Sequence, residues 1–146
     1  MQDLLSGLRV LDFTTNVAGP VATAMLADYG ASVIKVERPV RGDDNRSFPP
    51  MMDGQGFIHF WCNRGKQSIT IDLGDTDGKR IVEQLVRECD IVVESSRPGI
   101  MKKFGMDYES FAAIKPDIIY CSVSAYGLVG PYSKRPGYDL IAQAMS

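Results

Sequence analysis

The sequence predicts an α/β fold built as a doubly wound parallel sheet, and three observations carry that prediction. Apolar runs that suit buried strands alternate along the chain with segments of helical periodicity. Residues 8–38, LRVLDFTTNVAGPVATAMLADYGASVIKVER, read as strand, turn, helix and strand, a βαβ unit whose strands lie parallel and adjacent. Further on, Asp90-Ile91-Val92-Val93-Glu94 is a β-branched run of the kind found in strands covered on both faces.

The first strand spans residues 8–13 and is interrupted only by Arg9 and Asp12. Thr14-Thr15-Asn16 and Ala18-Gly19-Pro20 make the turn, and Pro20 suits the first position of a helix because its fixed φ is already helical. In that helix Ala22, Met25, Leu26 and Tyr29 form one apolar face, and Gly30 stops it in the left-handed conformation. Residues 31–36 form the second strand, which ends in Glu37-Arg38. Residues 39–56, rich in Pro, Gly and Asp, read as loop, and residues 57–61 give an aromatic patch. Such a loop is either functional or a surface insertion.

Residues 68–73 alternate with period two and predict a strand. After a turn, Asp75 or Thr76 caps a helix with Val82, Leu85, Val86 and Cys89 on one face. The strand through Val93 ends in the turn Ser95-Ser96-Arg97-Pro98-Gly99. Asp107 caps a short helix carrying Tyr108, Phe111, Ala112 and Ile114, which Pro116 ends. Residues 118–123 are the next strand, and Gly137-Tyr138-Asp139 introduces a last helix. The chain stops at Ala142-Gln143-Ala144-Met145-Ser146 inside that helix, so we expect either a fragment or a chain completed by another one.

A length of 146 residues allows one such layered structure with a core. A net charge of −2 gives no general pull toward nucleic acid or an anionic membrane. No apolar run reaches the ~18–20 residues of a membrane span, and the N-terminus has no secretory pattern, so a cytoplasmic protein is expected. Cys62, Cys89 and Cys121 are dispersed and His59 is the only histidine, so no metal site is expected and the cysteines read as small buried hydrophobes.

In a βαβ unit the turn after the first strand and the end of the second face one crevice, where ligands bind. A nicotinamide dinucleotide site needs G-x-G-x-x-G there and an acidic residue after the second strand. Glu37 meets the second requirement, but residues 14–20 hold one glycine, so the first fails. Arg38, Arg97, Lys102 and Lys103 instead follow strands and together suit a ligand with several phosphates, though each alone reads better as a solvated charge. Asp12 bonds to backbone and Asp139 caps a helix in the simplest reading.

Gly7-Leu8-Arg9-Val10-Leu11-Asp12-Phe13, Ala18-Gly19-Pro20, Leu26-Ala27-Asp28-Tyr29-Gly30-Ala31 and Val33-Ile34-Lys35-Val36-Glu37 resemble the start of the class III CoA-transferases. So do Asn63-Arg64-Gly65-Lys66, Val93-Glu94 with Arg97-Pro98-Gly99, Ile119-Tyr120-Cys121-Ser122-Val123-Ser124, Tyr126-Gly127, Gly130-Pro131 and Gly137-Tyr138-Asp139. That family includes formyl-CoA transferase, carnitine CoA-transferase and α-methylacyl-CoA racemase. The resemblance covers essentially all of residues 1–146 and corresponds to the N-terminal part of a CoA-binding large domain.

The resemblance implies a Rossmann-like large domain, coenzyme A or acyl-CoA as substrate with a carboxylic acid, and two full-length chains interlocked as a homodimer. It assigns CoA contacts to Val17, Ala18, Arg38, Ile71, Asp72, Leu73, Gly74, Ser95, Ser96, Arg97, Lys103, Pro136, Gly137, Tyr138 and Asp139. Ser95 stands where the family often has Asn, and Lys103 where it often has Arg, which loses a bidentate fork. The family's transferases use an aspartate nucleophile that forms a mixed anhydride and then an aspartyl-CoA thioester. By the family pattern it lies a helix and loop beyond Tyr138, so no residue here is assigned the catalytic role. Racemases of the family carry histidine where Tyr138 stands, and a phenol is a poor proton shuttle at neutral pH, which favours transferase. The remaining alternatives are an acyl-CoA racemase or epimerase, a non-catalytic CoA-binding module, a subunit of a split enzyme and, from Glu37 after the second strand, a nicotinamide-dependent oxidoreductase domain.

Overall fold

A computed structural model describes residues 4–146. In chain order the elements are β1 (Arg9–Phe13), α1 (Ala18–Asp28), β2 (Ser32–Glu37), a 3-10 turn (Asp44–Ser47), β3 (Met51–Met52), β4 (Gln55–Gly56), α2 (Phe57–Cys62) and β5 (Gln67–Thr70). They continue with α3 (Thr76–Glu88), β6 (Ile91–Glu94), α4 (Ile100–Phe104), α5 (Tyr108–Ile114), β7 (Ile119–Ser122) and α6 (Asp139–Met145). Five strands form one parallel sheet in the order β5-β2-β1-β6-β7, and β3 and β4 make a separate antiparallel hairpin. Leu11 of β1 pairs with Ile34 of β2 on one side and with Val92 of β6 on the other. The chain winds outward from β1 to β5 and then crosses back to β6, so the strand order reverses beside β1.

Alternation along the strands divides the core in two. Leu11, Phe13, Val36 and Val92 face Val82 and Val86 of α3, Phe111 of α5, Met101 and Met106. Phe111 is fully buried, with ring centroids 6.4 Å from Phe13 and 6.1 Å from Tyr120. On the opposite face Val10, Val33 and Val93 pack with Leu26, Ala27 and Ala31. Toward the carboxyl ends this second face turns polar, with Asp12, Lys35 and Glu37 all buried.

The α/β parallel architecture, the α3 face through Val82, Val86 and Cys89, the Asp107 cap and the left-handed Gly30 agree with expectation. Other readings need correction. Helix α1 starts at Ala18, so Pro20 lies within the first turn, where its missing N–H still has no intrahelical partner to lose. The buried face of α1 is Gly19, Pro20, Thr23 and Ala24, while Met25 and Tyr29 of the expected face are 49% and 43% exposed. The reason is close approach: a Cβ at Gly19 would lie 2.5 Å from Thr14 Cβ, so only the small face fits against the sheet. Strand β5 ends at Thr70 because β2, its only neighbour among the described residues, ends at the paired Glu37. Residues 39–56 are not all loop, and the aromatic patch after them is helical. Together they hold the 3-10 turn, the hairpin and α2, joined where a Cβ at Gly56 would meet the Asn45 carbonyl oxygen at 2.3 Å. Asp75 starts α3 without a side-chain cap bond, and Cys121 is exposed on the edge strand β7 rather than buried.

Candidate ligand-binding cleft

The carboxyl ends of β1, β2, β5 and β6 open into one cleft of about 480 Å³. Thr14 and Thr15 extend from β1 into its wall, and Glu37 to Pro39 continue from β2. Ile71, Asp72, Leu73 and Gly74 follow β5, and Ser96 follows β6. Ile100, Met101 and Phe104 of α4 close the far side beside Phe13, giving the cleft an apolar wall below a polar rim. Helix α4 is bounded by Gly99 and Gly105 at φ +88° and +67°, conformations that a residue with a Cβ rarely adopts.

Of the residues assigned from the sequence, Arg38, Ile71, Asp72, Leu73, Gly74 and Ser96 line this cleft. Arg38 is exposed at the rim, donates from Nε to the Gly42 carbonyl at 2.9 Å and pairs with Asp44. Val17 and Ala18 are exposed at the start of α1, just past Thr15, and no side chain caps that helix. Ser95 turns its hydroxyl to the turn after β1, where Oγ accepts the Thr15 N–H at 2.9 Å. Arg97 and Lys103 are exposed on the approach to α4 and on α4 itself. Pro136, Tyr138 and Asp139 are exposed and Gly137 partly buried at the start of α6, and these four are not among the residues lining the cleft. Asp139 accepts a hydrogen bond from Gln143 Nε2, and Tyr138, 70% exposed, is the first flanking residue of α6.

Sequence reasoning missed a buried polar network beneath the cleft. Asp12 accepts from the Thr14 N–H at 2.8 Å, as backbone bonding anticipated, and also from Thr14 Oγ1 and Thr23 Oγ1 at 2.5 and 2.7 Å. Lys66 Nζ lies 3.0 Å from Asp12 Oδ2 and donates to the Pro20 carbonyl and Asn63 Oδ1 at 2.8 Å. Burial pushes the Lys66 ammonium below its usual range, and the charge of Asp12 partly restores it. Lys35 Nζ donates to the Thr14 carbonyl and lies 2.8 Å from Asp43 Oδ2, off the hydrogen-bonding direction, so the pair is ionic contact only. His59 is buried with Nδ1 2.7 Å from Asn45 Oδ1, and burial, more than the nearby Arg46, lowers its pKa.

Glu37, the residue an NAD site would need free, is committed elsewhere. Arg46 donates from Nη2 to Oε1 at 2.6 Å and from Nε to Oε2 at 2.7 Å. Ser68 Oγ donates to Oε1 at 2.7 Å and the Asp43 N–H to Oε2 at 2.9 Å. Burial alone raises its pKa, but these hydrogen bonds outweigh that and hold it at about 2. Among the described residues no group of three or more His, Cys, Asp or Glu side chains is placed to hold a metal. No described helix is long and apolar enough to cross a membrane.

The cleft lies outside the carboxyl ends of a parallel sheet, beside the point where strand order reverses, which is where open α/β sheets bind their ligands. Residues 5–146 match CoA-transferase family III, and the chain belongs to that family. Succinyl-CoA:glutarate CoA-transferase of Mus musculus is 49% identical over 143 residues, covering 97% of this chain and 33% of its own length. Succinate–glutarate CoA-transferase of Agrobacterium fabrum is 45% identical, covering 97% of this chain and 37% of its own. The crystal structure of a CAIB/BAIF family protein from Brucella suis superposes with a TM-score of 0.94 at 43% identity, over 99% of this chain and 39% of that one. The chain thus spans about a third of the length of the curated relatives it matches.

Proposed function

We propose that this chain supplies the CoA-binding part of an enzyme that moves CoA from an acyl-CoA to a carboxylic acid. The observation that carries the reading is the cleft itself, which gathers Arg38, Ile71, Asp72, Leu73, Gly74 and Ser96 from separate strands. Its apolar wall, with Phe13, Met101 and Phe104, suits the less polar portions of the carrier. Arg38, Arg97 and Lys103 at or near its rim suit the phosphates. The uncapped first turn of α1 adds N–H groups without intrahelical partners.

In the proposed reaction an aspartate outside residues 1–146 attacks the acyl-CoA thioester and the CoA thiolate leaves, giving a mixed anhydride. The thiolate returns to the aspartyl carbonyl, freeing the donor acid and leaving an aspartyl-CoA thioester. The acceptor carboxylate then displaces the thiolate, which returns once more to make the new acyl-CoA and restore the aspartate. This chain's part is to hold the carrier so that the thiolate stays near the reacting carbon. The relatives' names support a short dicarboxylic acid as acceptor. The resemblance supports an interlocked homodimer. Tyr138 favours transfer over racemisation, because a family racemase has histidine there.

The test is to incubate the polypeptide that carries this chain together with the nucleophile-bearing remainder with succinyl-CoA and glutarate. Glutaryl-CoA should appear. Loss of α-stereochemistry in a 2-methylacyl-CoA, without any transfer, would favour the racemase reading instead.

A further inference from the structure

We propose that Asp43 is a positioning residue that fixes the turn after β1 in the shape that receives the ligand. This rests on the reading that the cleft holds CoA. Asp43 follows β2, caps the 3-10 turn and lies in the cleft wall with only 1% of its surface exposed, so its role is assigned to what it holds rather than to ligand contact. Its Oδ1 accepts the N–H of Asn16 at 2.9 Å and the N–H of Asn45 at 3.1 Å. Asn45 in turn donates from Nδ2 to the Asn16 carbonyl at 2.7 Å. Both backbone polar groups of Asn16 are therefore held from the neighbouring βα connection.

Asn16 needs that grip. Its φ is +68°, in the left-handed region that a residue with a side chain adopts at a cost, though Asn tolerates it better than most. The following residues, Val17 and Ala18, begin α1, so the conformation of Asn16 aims the first-turn amides of the helix. The rest of the turn is tied as well. Lys35 Nζ holds the Thr14 carbonyl at 2.8 Å, and Ser95 Oγ takes the Thr15 N–H from the β6 side at 2.9 Å. Asp43 is itself placed from behind, since its N–H donates to Glu37 Oε2. The two sides of the crevice are thus joined through one carboxylate, and the hydrogen-bonding work is done by Oδ1. Oδ2 faces Lys35 as a counter-charge without a hydrogen bond.

That division of labour makes the proposal separable from a plain ion-pair role. Lys35→Met/Asp43→Asn and Lys35→Met/Asp43→Ala both abolish the buried ion pair, but only the first keeps the Oδ1 acceptor. Hydrogen–deuterium exchange at the Asn16 amide and CoA affinity are measured for both, with melting midpoints to show that both are folded. The Ala variant should exchange Asn16 at least about tenfold faster than the Asn variant and bind CoA about tenfold more weakly. Equal exchange at Asn16 in the two variants overturns the proposal, and so does equal CoA affinity despite unequal exchange. If the parent protein binds no CoA while Asn16 protection still follows Oδ1, the tether stands and the CoA reading fails.

Discussion

The guanidinium of Arg46 spans both carboxylate oxygens of Glu37, with Nη2 to Oε1 at 2.6 Å and Nε to Oε2 at 2.7 Å. This fork turns the residue at the end of β2 from a potential ribose acceptor into a structural anchor for the loop that carries Asp43. With Ser68 and the Asp43 N–H also donating, the carboxylate has no open edge toward the cleft.

The fork sets a pH dependence. Glu37 has a folded-state pKa of about 2 against an ordinary 4.5. A depressed carboxylate pKa contributes stability that is complete above about 4.5 and is lost as pH falls toward 2. Allowing for solvent screening on the Arg46 side, the contribution is roughly 2 kcal/mol. In urea titrations Glu37→Gln should be less stable than the parent at pH 6, with the gap closing between pH 4.5 and 2. A gap independent of pH would mean that the charge is not what stabilises.

Lys66 and Asp12 are separated widely in sequence yet form a buried pair at 3.0 Å, with side chains 1% and 0% exposed. Removing one partner leaves the other charge in the interior, so Lys66→Met should cost roughly 3 kcal/mol. The double variant Asp12→Asn/Lys66→Met should cost less than the sum of the singles, because each single already abolishes the same interaction. Additive losses in denaturant titrations would contradict a coupled pair.

Gly78 supports one lip of the cleft from beneath. A Cβ there would lie 2.0 Å from the Asp72 carbonyl oxygen, so Gly78→Ala must displace residues 71–74 or the start of α3. We expect a loss of about 2 kcal/mol, read from the denaturant midpoint, together with weaker CoA binding. Unchanged CoA affinity in the folded variant would remove that lip from the binding surface.

Lys103 offers a gain-of-affinity test. It is exposed on α4 and stands where the family often has arginine, whose planar fork holds a phosphate at two points. Lys103→Arg should tighten CoA binding several-fold, and Lys103→Ala should weaken it and reduce its salt dependence. No change in either variant would place Lys103 outside the site.

The strands and α3 were legible because their signals are local. Val82, Val86 and Cys89 repeat at helical spacing, and the run Ile91-Val92-Val93 fits a strand covered on both sides. The face of α1 was not legible, since periodicity favours Met25 and Tyr29 while close packing of Gly19 on Thr14 selects the small residues. The polar network was hidden for a different reason. Its partners are brought together only by the fold, as Lys66 with Asp12 and Arg46 with Glu37 show. One signal was available: a strand such as β2, flanked on both sides in a parallel sheet, is buried, so Lys35 within it demands a counter-ion. Helix α4 escaped notice because it is short and bounded by glycines that read as turn.

The crevice at the strand ends is the proposed seat of CoA. Mapping amide hydrogen exchange across the chain with and without saturating CoA tests it most directly. New protection is expected at Thr15 to Ala18, at Arg38, at Ile71 to Gly74 and at Ser95 to Arg97, and no change with NADH. Protection confined to other surfaces, or none at millimolar CoA, would contradict it.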